Sequence, residues 1–169
     1  MSIHSANRTH TFDFENSLRV ISNILIPTDF SPASWNATQI GLEISRLNSH
    51  ASLSFLHIYP VTSKYVDVGK RKTNDEELDR MRSRMNQLSH SLSISDNENI
   101  NIDNVVLSGN VDEIIAQFMH ENQFDLVIVG INSNGQNNDI GSHTVKLIKE
   151  SGVPVMIVPN RSDNGNLTD

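Results

Sequence analysis

The feature that most narrows the fold is an alternation of two hydrophobic periods along the chain. Short, nearly unbroken apolar runs occur at Val20 to Ile26, Ala51 to Tyr59, Ile100 to Leu107, Phe124 to Val129 and Val153 to Val158. Between them lie stretches whose apolar residues repeat every three or four positions. These are Ala33, Ala37, Ile40, Gly41, Ile44 and Leu47; then Leu78, Met81, Met85, Leu88 and Leu92; then Val111, Ile114, Ile115, Phe118 and Met119. A fourth helix is expected from Gly141-Ser142 to Lys149, stopped by Gly152. Continuous apolar runs of strand length suit strands buried on both faces, and a 3.6-residue period suits helices packed on them. The order β-α-β-α-β-α-β-α-β therefore predicts an α/β domain, with a parallel sheet, helices on both faces and right-handed crossovers. Pro154, near the start of the last strand, favours an edge strand or an early strand position because proline cannot donate to a ladder.

The joints between elements locate the candidate chemistry. The first strand ends abruptly at Pro27-Thr28-Asp29, and Ser31-Pro32 then reads as an N-cap followed by proline at the first helical position. Ligands of open α/β sheets bind outside the carboxyl ends of the strands, which makes Asp29 the first candidate for function. The fourth strand ends at Gly130 and opens into a loop rich in Asn and Gly. Gly130 and Gly135 allow backbone conformations that aim N–H groups inward, and Gly141-Ser142 leads into a helix N-terminus with its partial positive charge. If strands one and four are neighbours where the strand order reverses, the two loops share a crevice.

Composition removes several function classes. A net charge of −7 and a pI near 5.4 give no basic surface for nucleic acid or anionic lipid. No apolar run approaches the ~20 residues that cross a bilayer. Met1 to Glu15 has no apolar core of the secretory kind, so a cytoplasmic protein is expected. The absence of cysteine excludes disulfides, thiol catalysis and thiolate metal sites. The seven histidines show no metal-ligand spacing and no clustered carboxylates, so no metal is expected from protein ligands alone. Within 169 residues one domain is expected over residues 18–160, with a flexible arm over 1–17 and a flexible tail over 161–169.

Taken in order, I-L-I-P-T-D-F-S, L-H-I, D-L-V-I-V-G and G-S-H-T-V-K-L-I-K-E-S-G-V-P-V-M-I-V-P resemble the universal stress protein family over roughly Val20 to Pro159. The resemblance implies a Rossmann-like domain of the adenine nucleotide alpha hydrolase type, with sheet order 3-2-1-4-5. It also implies dimerisation through the last strand, here Val153 to Val158, and binding of ATP or a related adenine nucleotide. Carried over to this chain, the resemblance implies that Asp29 contacts the nucleoside, with Pro27 and Thr28 beside it as candidate binding residues, and that Ile58, next to His57, offers backbone groups to adenine. The family's phosphate loop reads Gly, two residues, Gly, nine residues, Gly, then Ser or Thr. Here Gly130, Gly141 and Ser142 match its ends, and His143 beside them is a candidate phosphate contact.

The match is incomplete in that loop. Ser133 replaces the second glycine, and only Asn134 to Ile140 separate it from Gly141, so the loop is two residues short. A Cβ at position 133 disfavours positive φ, although Gly135 offers an alternative register. The loop has no Lys or Arg, and Asp139 adds negative charge. AMP or another compact ligand is therefore expected in preference to a fully wrapped ATP. The alternative reading is a nucleotide-free dimeric scaffold acting through protein–protein contacts, with a downstream partner that the sequence does not name. Catalytic residues are not expected, and at most weak ATP hydrolysis. His57 reads as a strand-end residue and Ser31 as a cap without a nucleophile elbow. Asp29 lacks the acidic pair and lysine of a phosphoacceptor site. P-T-D-F-S also lacks the glycines of a Ser-Gly-Gly-x-Asp-Ser activation loop.

Overall fold

The structure, a computed structural model, describes residues 21–48, 51–59, 71–95, 100–132, 146–149 and 151–160. The expected flexible arm and tail, and the loop from Ser133 through Ser142 and His143, lie outside these residues. The elements are β1 (Asn23–Pro27), α1 (Pro32–Leu47), β2 (Ser52–Tyr59), α2 (Arg71–Ser95), β3 (Ile102–Ser108), α3 (Val111–Glu121), β4 (Leu126–Ile131) and β5 (Val155–Pro159). Residues 146–149 are also helical. The five strands pair in parallel in the order β3-β2-β1-β4-β5.

The sheet divides the core into two layers because alternate strand residues face opposite sides. Ile24, Ile26, Leu53, Phe55 and Ile128 face α1 and α2, where Ala37, Leu42, Met85 and Leu92 close the first layer. Leu25, Leu56, Val127 and Val129 face the other way and pack with Ile115, Phe118 and Met119 of α3 and with Leu147. Every apolar residue of β1 between Asn23 and Pro27 is fully buried, as a central strand requires.

Several boundaries differ from the pattern reading. β3, β4 and β5 each begin about two residues later than their apolar runs, because pairing register rather than hydropathy sets a strand's start. α2 begins at Arg71, ahead of the first apolar position of its stripe.

The larger correction concerns the face of α1. Ile40 is 38% exposed and Leu47 83% exposed, although both lie on the apolar stripe. The buried face is Ala33, Ser34, Ala37, Thr38, Gly41, Leu42 and Ser45. The helix lies so close to β1 that a Cβ on Gly41 would come within 2.4 Å of Ile26 Cδ1. Small residues permit that approach, and the buried hydroxyls remain satisfied. Thr38 Oγ1 donates to Ser34 O at 2.9 Å, and Ser45 Oγ donates to Ala51 O at 2.6 Å.

At the amino end of the sheet, Asp125 Oδ2 accepts from the backbone N–H of Ser22 (2.9 Å) and Asn23 (3.0 Å). Its own N–H donates to Asn23 O at 2.9 Å, so this residue ties the entry of β1 to that of β4. Asp125→Ala should lower unfolding free energy by about 1 kcal/mol, and Asp125→Asn, which keeps an acceptor, by less. Urea denaturation of the two variants checks this ranking.

Candidate functional site

β1 ends where Thr28 N–H donates to Leu56 O at 2.8 Å, and the chain then turns through Asp29, Phe30 and Ser31 into α1. Local side chains set this turn. Thr28 Oγ1 accepts from Phe30 N–H at 3.1 Å, and Asp29 Oδ1 accepts from Ser31 N–H at 2.9 Å. Ser31 caps α1 by accepting from Ser34 N–H at 3.2 Å, and Ser34 Oγ donates to Ser31 O at 2.9 Å. Asp29 is drawn two ways. Partial burial raises its pKa, while hydrogen bonds from the Ser31 hydroxyl and N–H, from Ser34 and from its own backbone lower it. The hydrogen bonds prevail, so Asp29 ionises below its ordinary value of 3.8 and is a carboxylate at neutral pH.

β2 runs past the end of β1. Even-numbered residues of β2 direct their backbone groups toward β1, as the bonds Ser52 N–H to Ser22 O and Thr28 N–H to Leu56 O establish. Odd-numbered residues turn toward β3, as Leu53 N–H to Asn101 O and Gly109 N–H to Tyr59 O establish. Ile58 thus directs its N–H and C=O to the β1 side. The β1–β2 register stops at Pro27 opposite Leu56, so among the described residues no strand runs opposite Ile58 on that side. One donor and one acceptor are left facing the crevice.

The other wall comes from β4 and α3. Gly130 lies within β4 opposite Val158, without positive φ, and a Cβ there would fall 2.1 Å from Ala33 O. Glycine is required at position 130 because β4 passes against the first turn of α1, leaving no room for a side chain. Between these walls lies a cleft of about 280 Å³. Leu56, Ile58, Val111, Ile115 and Val129 give it an apolar lining, and Thr28, Asp29 and Ser34 add polar groups at one end. Nearby, Lys146 Nζ stands 3.7 Å from Asp112 Oδ2 across the first turn of α3. Among the described residues no three His, Asp or Glu side chains cluster so as to hold a metal ion. None of the described helices is long and apolar enough to cross a membrane.

Of the residues singled out in the sequence, Pro27, Thr28, Asp29, Ile58 and Gly130 converge on this cleft. Ser133, Gly141, Ser142 and His143 lie outside the described residues. Ser34, Leu56, His57, Val111, Ile115 and Val129 also line it and are not among the candidates that the sequence offers. Ser34 carries a signal in hindsight, three residues after the cap, whereas Val111 and Ile115 read only as packing positions of α3.

The family model of the universal stress protein family matches residues 21–159. The chain belongs to this family. Among solved structures, universal stress protein UspA from Lactobacillus plantarum is similar at 18% identity and TM-score 0.63, covering 83% of this chain and 99% of its own. A universal stress protein family protein from Arabidopsis thaliana, solved with AMP bound, matches at 17% identity and TM-score 0.58, covering 86% and 96%. A universal stress protein in complex with cAMP matches at 16% identity and TM-score 0.60, covering 84% and 99%. At these identities the likeness concerns the fold. No curated protein matched the chain significantly.

Proposed function

We propose that the chain is a cytoplasmic stress-response protein that binds an adenine nucleotide, AMP in preference to ATP, between the carboxyl ends of β1 and β4. The observation that carries the reading is the pairing of the Asp29 carboxylate with the strand-free backbone of Ile58 at one apolar cleft. A ribose supplies hydroxyl donors for a carboxylate, and the edge of adenine offers a complementary donor and acceptor to a backbone N–H and C=O. The apolar lining suits the faces of a purine, and about 280 Å³ is near the lower end of small-ligand pockets. Relatives solved with AMP and with cAMP support the same ligand class. The shortened loop between Gly130 and Gly141 and the lack of Lys or Arg within it favour one phosphate over three.

Titration calorimetry with AMP, ADP and ATP tests the reading, with AMP expected to bind most tightly. No heat from any of the three at millimolar concentration would overturn it and leave the nucleotide-free scaffold. For assembly we infer a homodimer through β5. This strand is the edge of the sheet and pairs only with β4 among the described residues, leaving a row of backbone groups for a second copy. The half-exposed apolar side chains of Ile40 and Met156 line the adjoining groove between α1 and β5. Sedimentation should give twice the chain mass, and a monomer at high protein concentration would contradict the dimer.

A further inference from the structure

The turn that carries Asp29 is held by Phe30, which does not line the cleft, and by His57, which does. Phe30 sits at φ 62, a left-handed conformation that bulky residues avoid. Its ring packs with the α1–α2 layer and meets two groups from other elements. One is the imidazole of His57, with ring centroids 4.7 Å apart at 42°. The second is the guanidinium of Arg84 on α2, with Cζ 4.3 Å from the ring centroid. His57 Nδ1 is 2.7 Å from Thr28 O, and a carbonyl only accepts, so Nδ1 carries the proton and donates. The turn is thereby held at the Thr28 carbonyl and at the Phe30 ring by groups that link α2 through Phe30 to β2.

We propose that Phe30 is a positioning residue for the ligand cleft, its clamped ring holding the left-handed turn that fixes the Asp29 carboxylate. Two features set this apart from simple core filling. Glycine would adopt φ 62 without strain, so the backbone alone gives no reason for phenylalanine. And Arg84, beside the apolar stripe of Met81, Met85 and Leu88, lies over the ring, which makes α2 part of the support of a site it does not line.

The affinity part of the test rests on the nucleotide reading; the exchange part does not. Phe30→Gly, Phe30→Tyr and Arg84→Met would be compared by AMP titration and by amide exchange at Ser31, whose N–H bonds Asp29. Phe30→Gly should weaken AMP roughly tenfold and speed Ser31 exchange by about the same factor. Phe30→Tyr should stay within about twofold of the parent, and Arg84→Met should weaken AMP about threefold, matching an exposed cation–π contact. Parental affinity and Ser31 protection in Phe30→Gly would overturn the proposal. If the parent protein itself binds no AMP, the nucleotide reading fails, and the exchange rate of Ser31 alone decides whether Phe30 holds the turn.

Discussion

Gly130→Ala is expected to lower the unfolding free energy by about 3 kcal/mol, at the upper end for an overpacked site. The added Cβ would lie 2.1 Å from Ala33 O, 2.3 Å from Ala33 C and 2.6 Å from Ser34 N. These are backbone atoms in the first turn of α1, so no rotamer change relieves the clash. The helix itself would have to move off β4, which would also disturb the close seat of Gly41 on Ile26. Chemical denaturation should show a lower midpoint with an unchanged slope, and melting should fall by roughly 10 °C. Gly152→Ala is the control. It has open space around its Cβ but φ +65, so it should cost only about 1 kcal/mol. Equal midpoints for Gly130→Ala and the parent would contradict the close approach of β4 and α1.

The second large effect concerns the ligand. Asp29→Asn keeps an oxygen that can accept from Ser31 N–H, so the turn should persist while the charge is removed. AMP affinity should fall by about 1.5–3 kcal/mol, the scale of a hydrogen bond to a charged group. Unaltered affinity would place the ligand elsewhere. The same substitution changes the response to acid, and the sign follows from the direction of the pKa shift. The carboxyl of Asp29 lies below 3.8 in the folded protein, so its contribution to stability is present above that value. It is lost as pH falls through the depressed value. Relative to Asp29→Asn, the parent should therefore lose melting temperature more steeply in that acid range, and the two slopes should agree near neutrality.

Legibility differed from element to element. The central strands were plain because β1 and β4 are buried on both faces, and such strands leave uninterrupted apolar runs. P-T-D-F-S was equally plain, since caps, Asx turns and proline at a helix start act over three or four residues. The buried face of α1 departs from the hydropathy pattern for the opposite reason. Hydropathy favours Ile40 and Leu47, but the helix seats Ser34, Thr38 and Ser45 against the sheet because small side chains allow the approach and their hydroxyls find local acceptors. The group of His57, Phe30 and Arg84 had no signature at all, since its members lie on three elements far apart in the chain.

The sequence by itself determined the α/β class and, through family resemblance, pointed to the strand order and to Asp29, Ile58 and Gly130 as candidates for one site. Those properties rest on hydrophobic period, turn chemistry and motif order, all of which are local. Only the tertiary structure decided that Gly130 serves a helix–strand contact, that Ile58 directs its backbone past the end of β1, and that Phe30 packs against His57 and Arg84 beside Asp29. Each of these depends on distances between elements brought together by the sheet, and no local pattern encodes such a distance.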